Sequence, residues 1–289
     1  MDMKAGRATK APITHWSHSS LMAYLRNPLA WYKRYVEHVY DTPSTPSGIV
    51  GRAAHVALQH FYEGADKEMA IQGGLSYLRA VPDFEINFGK KQSKAARKKR
   101  RVQMEREYEQ AVRFYLEKPP RHHVLAVEVK STAEVKGLPL PIKAVSDLVV
   151  RSRIDPNAVD IVDHKFVDSF SGMAGQKTLF MIQAIFNYYT VRSLFQREVK
   201  RFIVLECKKT KNKDGKAQLR RYAINYKDCE EAFAVFHRLV KDATAEISRK
   251  RVYLPNPSDM FEGENSFDIY RLGLVGEGET EVEEAIEQE

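Results

Sequence analysis

Apolar positions along the chain first recur at helical spacing and then at strand spacing, so a helical first part is expected ahead of a mixed second part. Leu21, Tyr24, Leu25, Trp31, Tyr32, Tyr35 and Val36 fall three or four apart, which predicts an amphipathic helix from Ser19 to about Tyr40, interrupted at Asn27-Pro28. The hydroxyls of residues 14–20 offer it several N-caps. Residues 42–48, rich in Pro, Ser and Thr, read as a loop. Gly51 opens a second helix that continues through His55, Val56, Leu58, Phe61 and Tyr62, and residues 66–80 form a third. A fourth carries Val102, Met104, Tyr108, Val112, Phe114 and Tyr115 up to Pro119-Pro120.

Beyond that proline pair the period shortens. Residues 124–130, 142–154 and 159–166 read as an antiparallel meander, with turns at residues 137–141 and 155–157. A helix over 176–195 follows, with Leu179, Ile182, Ile185, Phe186 and Tyr189 on its apolar side. Residues 201–207 and 219–226 form a hairpin through 211–215, and a last helix spans about 227–249. No repeat is visible.

Composition narrows the class. The 289 residues, 43% hydrophobic and 29% charged, suit one large soluble domain or a core domain with additions. No apolar run approaches the roughly 20 residues that cross a bilayer, so no membrane partner is expected. The N-terminus leads into no apolar signal core, which points to the cytoplasm. Two cysteines, Cys207 and Cys229, exclude a disulfide framework and a four-thiolate metal site. A net charge of +8 favours a polyanionic partner, and the acidic stretch from Glu277 to Glu289 leaves the rest more basic still. The densest basic run is Lys90, Lys91, Lys94, Arg97, Lys98, Lys99, Arg100 and Arg101, either a solvated helix face or a phosphate-contacting one.

The candidate chemistry lies in the meander. Asp147 and Asp163 each stand beside an apolar run on adjacent strands, and Lys165 shares a face with Asp163 because side chains alternate. Burying such charges is costly unless they are paired or bound to metal. Two carboxylates with substrate phosphate suffice for a hard divalent cation, and a neighbouring ammonium can orient the attacking hydroxide or steady developing charge. The alternative is a structural ion pair between Asp163 and Lys165, with Asp147 capping a turn. Glu128-Val-Lys130 repeats the acid-x-lysine pattern, and Glu128 is either an auxiliary acid or a solvated strand residue. His55 is a metal ligand or a core histidine, set one turn after Gly51 where a small residue allows close packing.

These residues resemble the RecB-type branch of the PD-(D/E)xK nuclease superfamily. Ser17-His-Ser19-Ser-Leu21-Met-Ala-Tyr24, then Asn27-Pro28 and Trp31-Tyr32, resembles its entry helix. Gly51 to His55 is similar to its Gly-x-x-x-His, Ala144 to Asp147 to its Gly-x-x-Asp, and Asp163 to Lys165 to its Asp-x-Lys; Glu128 and Gln183 fall at its strand glutamate and helix glutamine. The resemblance implies a restriction-endonuclease-like α/β core, a central mixed sheet flanked by helices with a helical N-terminal region. It implies His55, Asp147 and Asp163 as metal ligands, completed by the His164 backbone carbonyl, with Gln183 positioning DNA or the catalytic strand. Three departures stand out. Asn27 replaces the first cysteine of the family's iron–sulfur set and no cysteine lies near 255–270, so no iron–sulfur cluster is expected; Ala144 replaces glycine; and Asn187, with Tyr188 beside it, stands where a tyrosine partners the glutamine.

The expectation is a Mg2+- or Mn2+-dependent DNA exonuclease of recombination, repair or phage DNA processing. A recombination or single-strand-binding protein is the partner class it would work beside. Asp147, Asp163, Lys165 and Gln183 would act in catalysis, with Glu128 and Tyr188 auxiliary and the run from Lys90 to Arg101 guiding DNA. The alternatives are a non-catalytic DNA-binding partner on the same fold and a structure-specific endonuclease. Residues 1–13 are expected to be a disordered basic arm, 14–254 the nuclease domain (14–120 helical, 121–254 sheet and flanking helices), and 255–289 an irregular acidic tail.

Overall fold

The computed structural model describes residues 10–38, 43–89, 93–170, 176–210 and 218–255. Most of the basic arm, Tyr40, Lys90, Lys91, the 211–215 turn and the acidic tail lie outside these residues. The chain groups into two compact units, one formed by residues 1–42, 138–140 and 239–289, the other by 43–137 and 141–238. The expected helical stretch 14–120 is thus divided between them.

In the first unit, a two-residue strand β1 (Trp16–Ser17) leads into α1 (His18–Arg26) and α2 (Pro28–Tyr35). The sequence suggests one interrupted helix; the structure breaks it fully, because the Asn27 side chain accepts from Ala30 N–H and Pro28 starts α2 with no N–H of its own. Ser17 and Ser20 form a capping box at the start of α1. Trp16, Tyr24 and Trp31 pack with ring centroids 5.1–5.8 Å apart, and the Trp16 indole donates to Thr244 Oγ1 at 2.9 Å. The entry residues are therefore a buried aromatic core.

The second unit starts with α3 (Pro46–Tyr62), capped by Thr45, then α4 (Lys67–Ala80), capped by Asp66, and α5 (Lys94–Glu117), capped by Ser93. Helix α3 begins five residues before Gly51, and a Cβ on Gly51 would meet nothing within 4 Å. The close approach expected at Gly51 occurs instead at Gly74 of α4, where a Cβ would stand 2.4 Å from the Ala53 carbonyl oxygen and 2.2 Å from the Tyr108 hydroxyl. That contact seats the helix carrying His55.

The sheet follows as β2 (Val124–Ala133), β3 (Ile142–Arg151), β4 (Val159–Val167), β5 (Val199–Lys208) and β6 (Leu219–Asn225), with α6 (Gln176–Phe195) between β4 and β5 and α7 (Glu230–Ile247) last. Pairs β2–β3, β3–β4 and β5–β6 are antiparallel, and β4–β5 is parallel, as the crossover through α6 requires. The sheet is mixed with helices on both faces: Leu148, Val150, Val162, Ile203 and Leu205 pack with α3, α4 and α5, while Val149, Ile161 and Val204 pack with Ala184 and Val191 of α6. This is the α/β architecture expected.

Candidate active site

The ladder between β3 and β4 runs from Arg151–Val159 to Leu148–Val162, and one more step in register sets Asp147 opposite Asp163. No ladder pair forms there. Instead the Asp147 carboxylate takes the strand's amide, His164 N–H donating to Asp147 Oδ2 at 2.7 Å. On the other side of β3, the register Val127–Leu148 and Val129–Ser146 sets Glu128 opposite Asp147. Three acids on three neighbouring strands thus share one row.

Alternation fails in that row. Val127 and Leu148 pack toward α3–α5, yet Val129 packs toward α6 and Ser146 donates to Asn187 of α6 at 2.6 Å. Glu128 marks the inversion with a φ of +46°, a conformation that bulky L-residues rarely adopt. Strain of this kind costs on the order of 1–3 kcal/mol and persists where surrounding contacts fix it. Here it brings Glu128 Oε1 to 3.8 Å from His55 Nδ1, with Asp147 Oδ2 at 3.4 Å from the same nitrogen. His55, Glu128 and Asp147 present ligand atoms within 4.8 Å of one another. Glu128, half-buried, therefore stands beside His55 and Asp147.

Asp163 is the buried member. Lys165 Nζ lies 2.8 Å from its Oδ2 and 3.1 Å from its Oδ1, and Gln183 Nε2 donates to Oδ1 at 2.7 Å. Beyond the lysine's ionic contact, Asp163 Oδ2 is buried without a hydrogen bond. One turn on, Asn187 Nδ2 donates to the backbone carbonyl of Gln183 at 2.9 Å. Asn187, the departure in the sequence, is the residue that ties α6 to β3. Tyr188 is not brought to the site: one position further round the helix, its ring packs on Tyr226 and Phe233 and its hydroxyl accepts from Arg192.

Charges of both signs set the protonation states. Burial works against a charge on His55, but Asp147 and Glu128 overcome it and hold its pKa up at about 9. Burial also opposes the Asp147 charge and is outweighed by His55 and His164, which keep the carboxyl well below its ordinary value. The Asp163 carboxyl is pushed up by burial, with Lys165 pulling against that and Asp147 adding to it. Lys165, though desolvated, is raised by Asp163 and Asp147. Three carboxyl groups, those of Glu128, Asp147 and Asp163, thus stand with the His55 imidazole and the Lys165 ammonium, a cluster richer in acids than in bases.

A divalent ion fits this donor set. One imidazole nitrogen and two carboxylate oxygens, one each from Glu128 and Asp147, lie close enough to share an ion, and Asp163 Oδ2 offers a buried acceptor with spare capacity. The His164 imidazole is not a member of the His55, Glu128 and Asp147 group. It is buried beside that group, its Nδ1 3.5 Å from Asp147 Oδ2 and its Nε2 2.8 Å from the Tyr115 hydroxyl, which lies 2.6 Å from that of Tyr62. Tyr62, Tyr115, Ser146 and Asn187 support the site without having been legible as candidates. Only the helical spacing of Tyr62 and Tyr115 marked them as inward-facing, and that alone does not separate support from core.

The basic run divides. Arg101 is structural: it donates to Asp83 Oδ1 at 2.6 Å and to the carbonyls of Leu78 and Val81, closing the connection from α4 to α5. Arg100 pairs with Glu107 at 2.8 Å. Lys94, Arg97, Lys98 and Lys99 are exposed on the first turns of α5.

A family model for the PD-(D/E)XK nuclease superfamily matches residues 15–260. The crystal structure of a "Putative exonuclease" from Eubacterium rectale is similar over 91% of this chain and 99% of that one, at a TM-score of 0.54 and 13% identity, a likeness of fold. The crystal structure of SSO0001 matches over 80% of this chain and 84% of its own, at 14% identity and a TM-score of 0.29. No curated protein matches the chain.

Proposed function

The chain belongs to the PD-(D/E)XK nuclease superfamily, and on that premise we propose that it is a divalent-metal-dependent deoxyribonuclease that degrades DNA from its ends. The observation that carries this reading is the convergence of His55, Glu128 and Asp147 beside the buried Asp163–Lys165 pair. In this reading His55, Glu128, Asp147 and Asp163 hold a magnesium or manganese ion. When bound, such an ion supplies Lewis-acid polarisation of the scissile phosphate and a lowered pKa for an attacking water. Lys165, raised and anchored on Asp163, remains an ammonium that steadies charge building on the phosphorane. Gln183 fixes the Asp163 carboxylate, and the His164 amide fixes that of Asp147, so neither has to reorganise as the reaction proceeds. Lys94, Arg97, Lys98 and Lys99 would contribute sequence-independent phosphate contacts. Action on ends accords with the exonuclease description of the structural relative.

The test is digestion of end-labelled linear DNA and of covalently closed circles, in magnesium or in EDTA, by wild type and Asp163→Ala. Expected are loss of the linear substrate only, abolition by EDTA, and a drop on the order of a thousandfold or more in the variant. Wild-type cleavage by a folded Asp163→Ala would overturn the site, and equal loss of circles would replace end-directed action with endonuclease action.

A further inference from the structure

Along β3, about 13 Å from Asp147 by strand rise, the second unit holds a cavity of about 720 Å³. Five arginines from four separate segments line it: Arg121, Arg151 and Arg153, with Arg201 of β5 and Arg221 of β6. Asp160 is the one carboxylate in the lining, and Arg201 already engages it, with Nη2 at 2.5 Å and Nε at 3.2 Å from Oδ2. The other four arginines form no ion pair among the described residues. Arg153, like Arg121, Arg151 and Arg221, is exposed, and a hydrogen bond to the Arg121 carbonyl ties its guanidinium to a second segment of the cavity wall.

Like charges gathered in this way repel one another, and burial and the neighbouring Arg201 and Arg153 push the Arg221 guanidinium below its ordinary value. Among them lies His122, whose Nε2 is buried with no hydrogen-bond partner. A concave wall of guanidinium forks beside an unsatisfied ring nitrogen matches the oxygens of a phosphate, which accepts paired charge-assisted hydrogen bonds. We propose that this cavity is a phosphate-binding site, separate from the cleavage centre, taking either a phosphodiester of the nucleic-acid strand or the phosphate of a free nucleotide. The strand-borne source rests on the nuclease reading and would fix how far DNA extends beyond the scissile bond; the free-nucleotide source does not rest on it.

The experiment measures binding by the full chain in EDTA, where nothing is cut. The probes are inorganic phosphate, a deoxynucleoside monophosphate and a fluorescent oligonucleotide, against wild type, Arg153→Gln/Arg221→Gln and the exposed control Lys241→Gln. If the strand is the source, the double variant binds the oligonucleotide at least about tenfold more weakly, the slope of log affinity against log salt falls by about two, and Lys241→Gln changes little. If a free nucleotide is the source, phosphate or the monophosphate raises the melting temperature of wild type but not of the double variant, while oligonucleotide binding is unchanged. Either result supports the site. The single variants Arg153→Gln and Arg221→Gln carry the same comparison should the double variant melt early. Wild-type behaviour with all three probes overturns the proposal. A protein that bound through the cavity yet never cut DNA in magnesium would overturn the nuclease reading and leave the cavity assigned.

Discussion

Around Asp147 and Asp163, groups of both signs are interleaved, and these two carboxyl groups each have a basic group or an amide within about 3.5 Å. Around Arg153 and Arg221, at the other end of the same sheet, charges of one sign crowd together with a single acid among them. The first arrangement largely stabilises itself through these pairings. The second is left uncompensated, a cost that a bound anion would relieve. A site that must orient water and resist reorganisation gains from internal pairing, whereas one that captures a charged chain gains from the unpaired surplus.

That contrast can be broken in several places. The largest effect is expected from Lys165→Ala, which removes the cation of the acidic end: cleavage should fall about 10²–10³-fold while DNA binding in EDTA stays close to wild type. Equal loss of both would make Lys165 a binding residue and blur the difference between the ends. Gly74→Ala should follow, since its Cβ would clash with the Ala53 backbone of the helix bearing His55. A destabilisation of about 2–3 kcal/mol is expected in urea unfolding. Gly51→Ala, with open space around it, should instead be neutral or slightly stabilising.

Tyr115→Phe probes the support behind Asp147. Losing the hydroxyl contact with His164 should weaken magnesium affinity, read by calorimetry, about tenfold, and should leave phosphate binding at the arginine end untouched. The smallest effect concerns pH. Burial, His164 and the arginines Arg153 and Arg221 push His122 down to about 4 from its ordinary 6.5. Over that window the unfolded chain binds more protons, so His122 makes stability rise with pH from about 4 to 6.5 and fall as acid is added. His122→Gln should flatten the stability–pH slope there, and saturating phosphate should flatten it in the wild type as well. A wild-type slope in the variant would remove His122 from the basic end.

Two helix starts were legible, since the hydroxyls ahead of α1 cap it and the helical period begins at Asp66, the cap of α4, whereas α3 starts five residues ahead of Gly51. The Asp163–Lys165 pair was legible for a related reason, since alternation along β4 sets residues two apart on one face, and the short turn brings Asp147 of β3 into the same row. Other features depended on distant segments. Glu128 joins His55 through a left-handed backbone turn that no pattern announces, and Tyr188 is drawn into an aromatic cluster by residues nearly forty positions away. Arg101, conspicuous within the basic run, is spent on holding the α4–α5 connection, while the arginines that gather in one cavity are scattered from residue 121 to 221. Local sequence determined the elements and the metal-side hairpin, because those forces act over a few residues. Register, helix packing and burial decided what faced that hairpin and which cations stayed unpaired, because such contacts exist only once the whole sheet has formed.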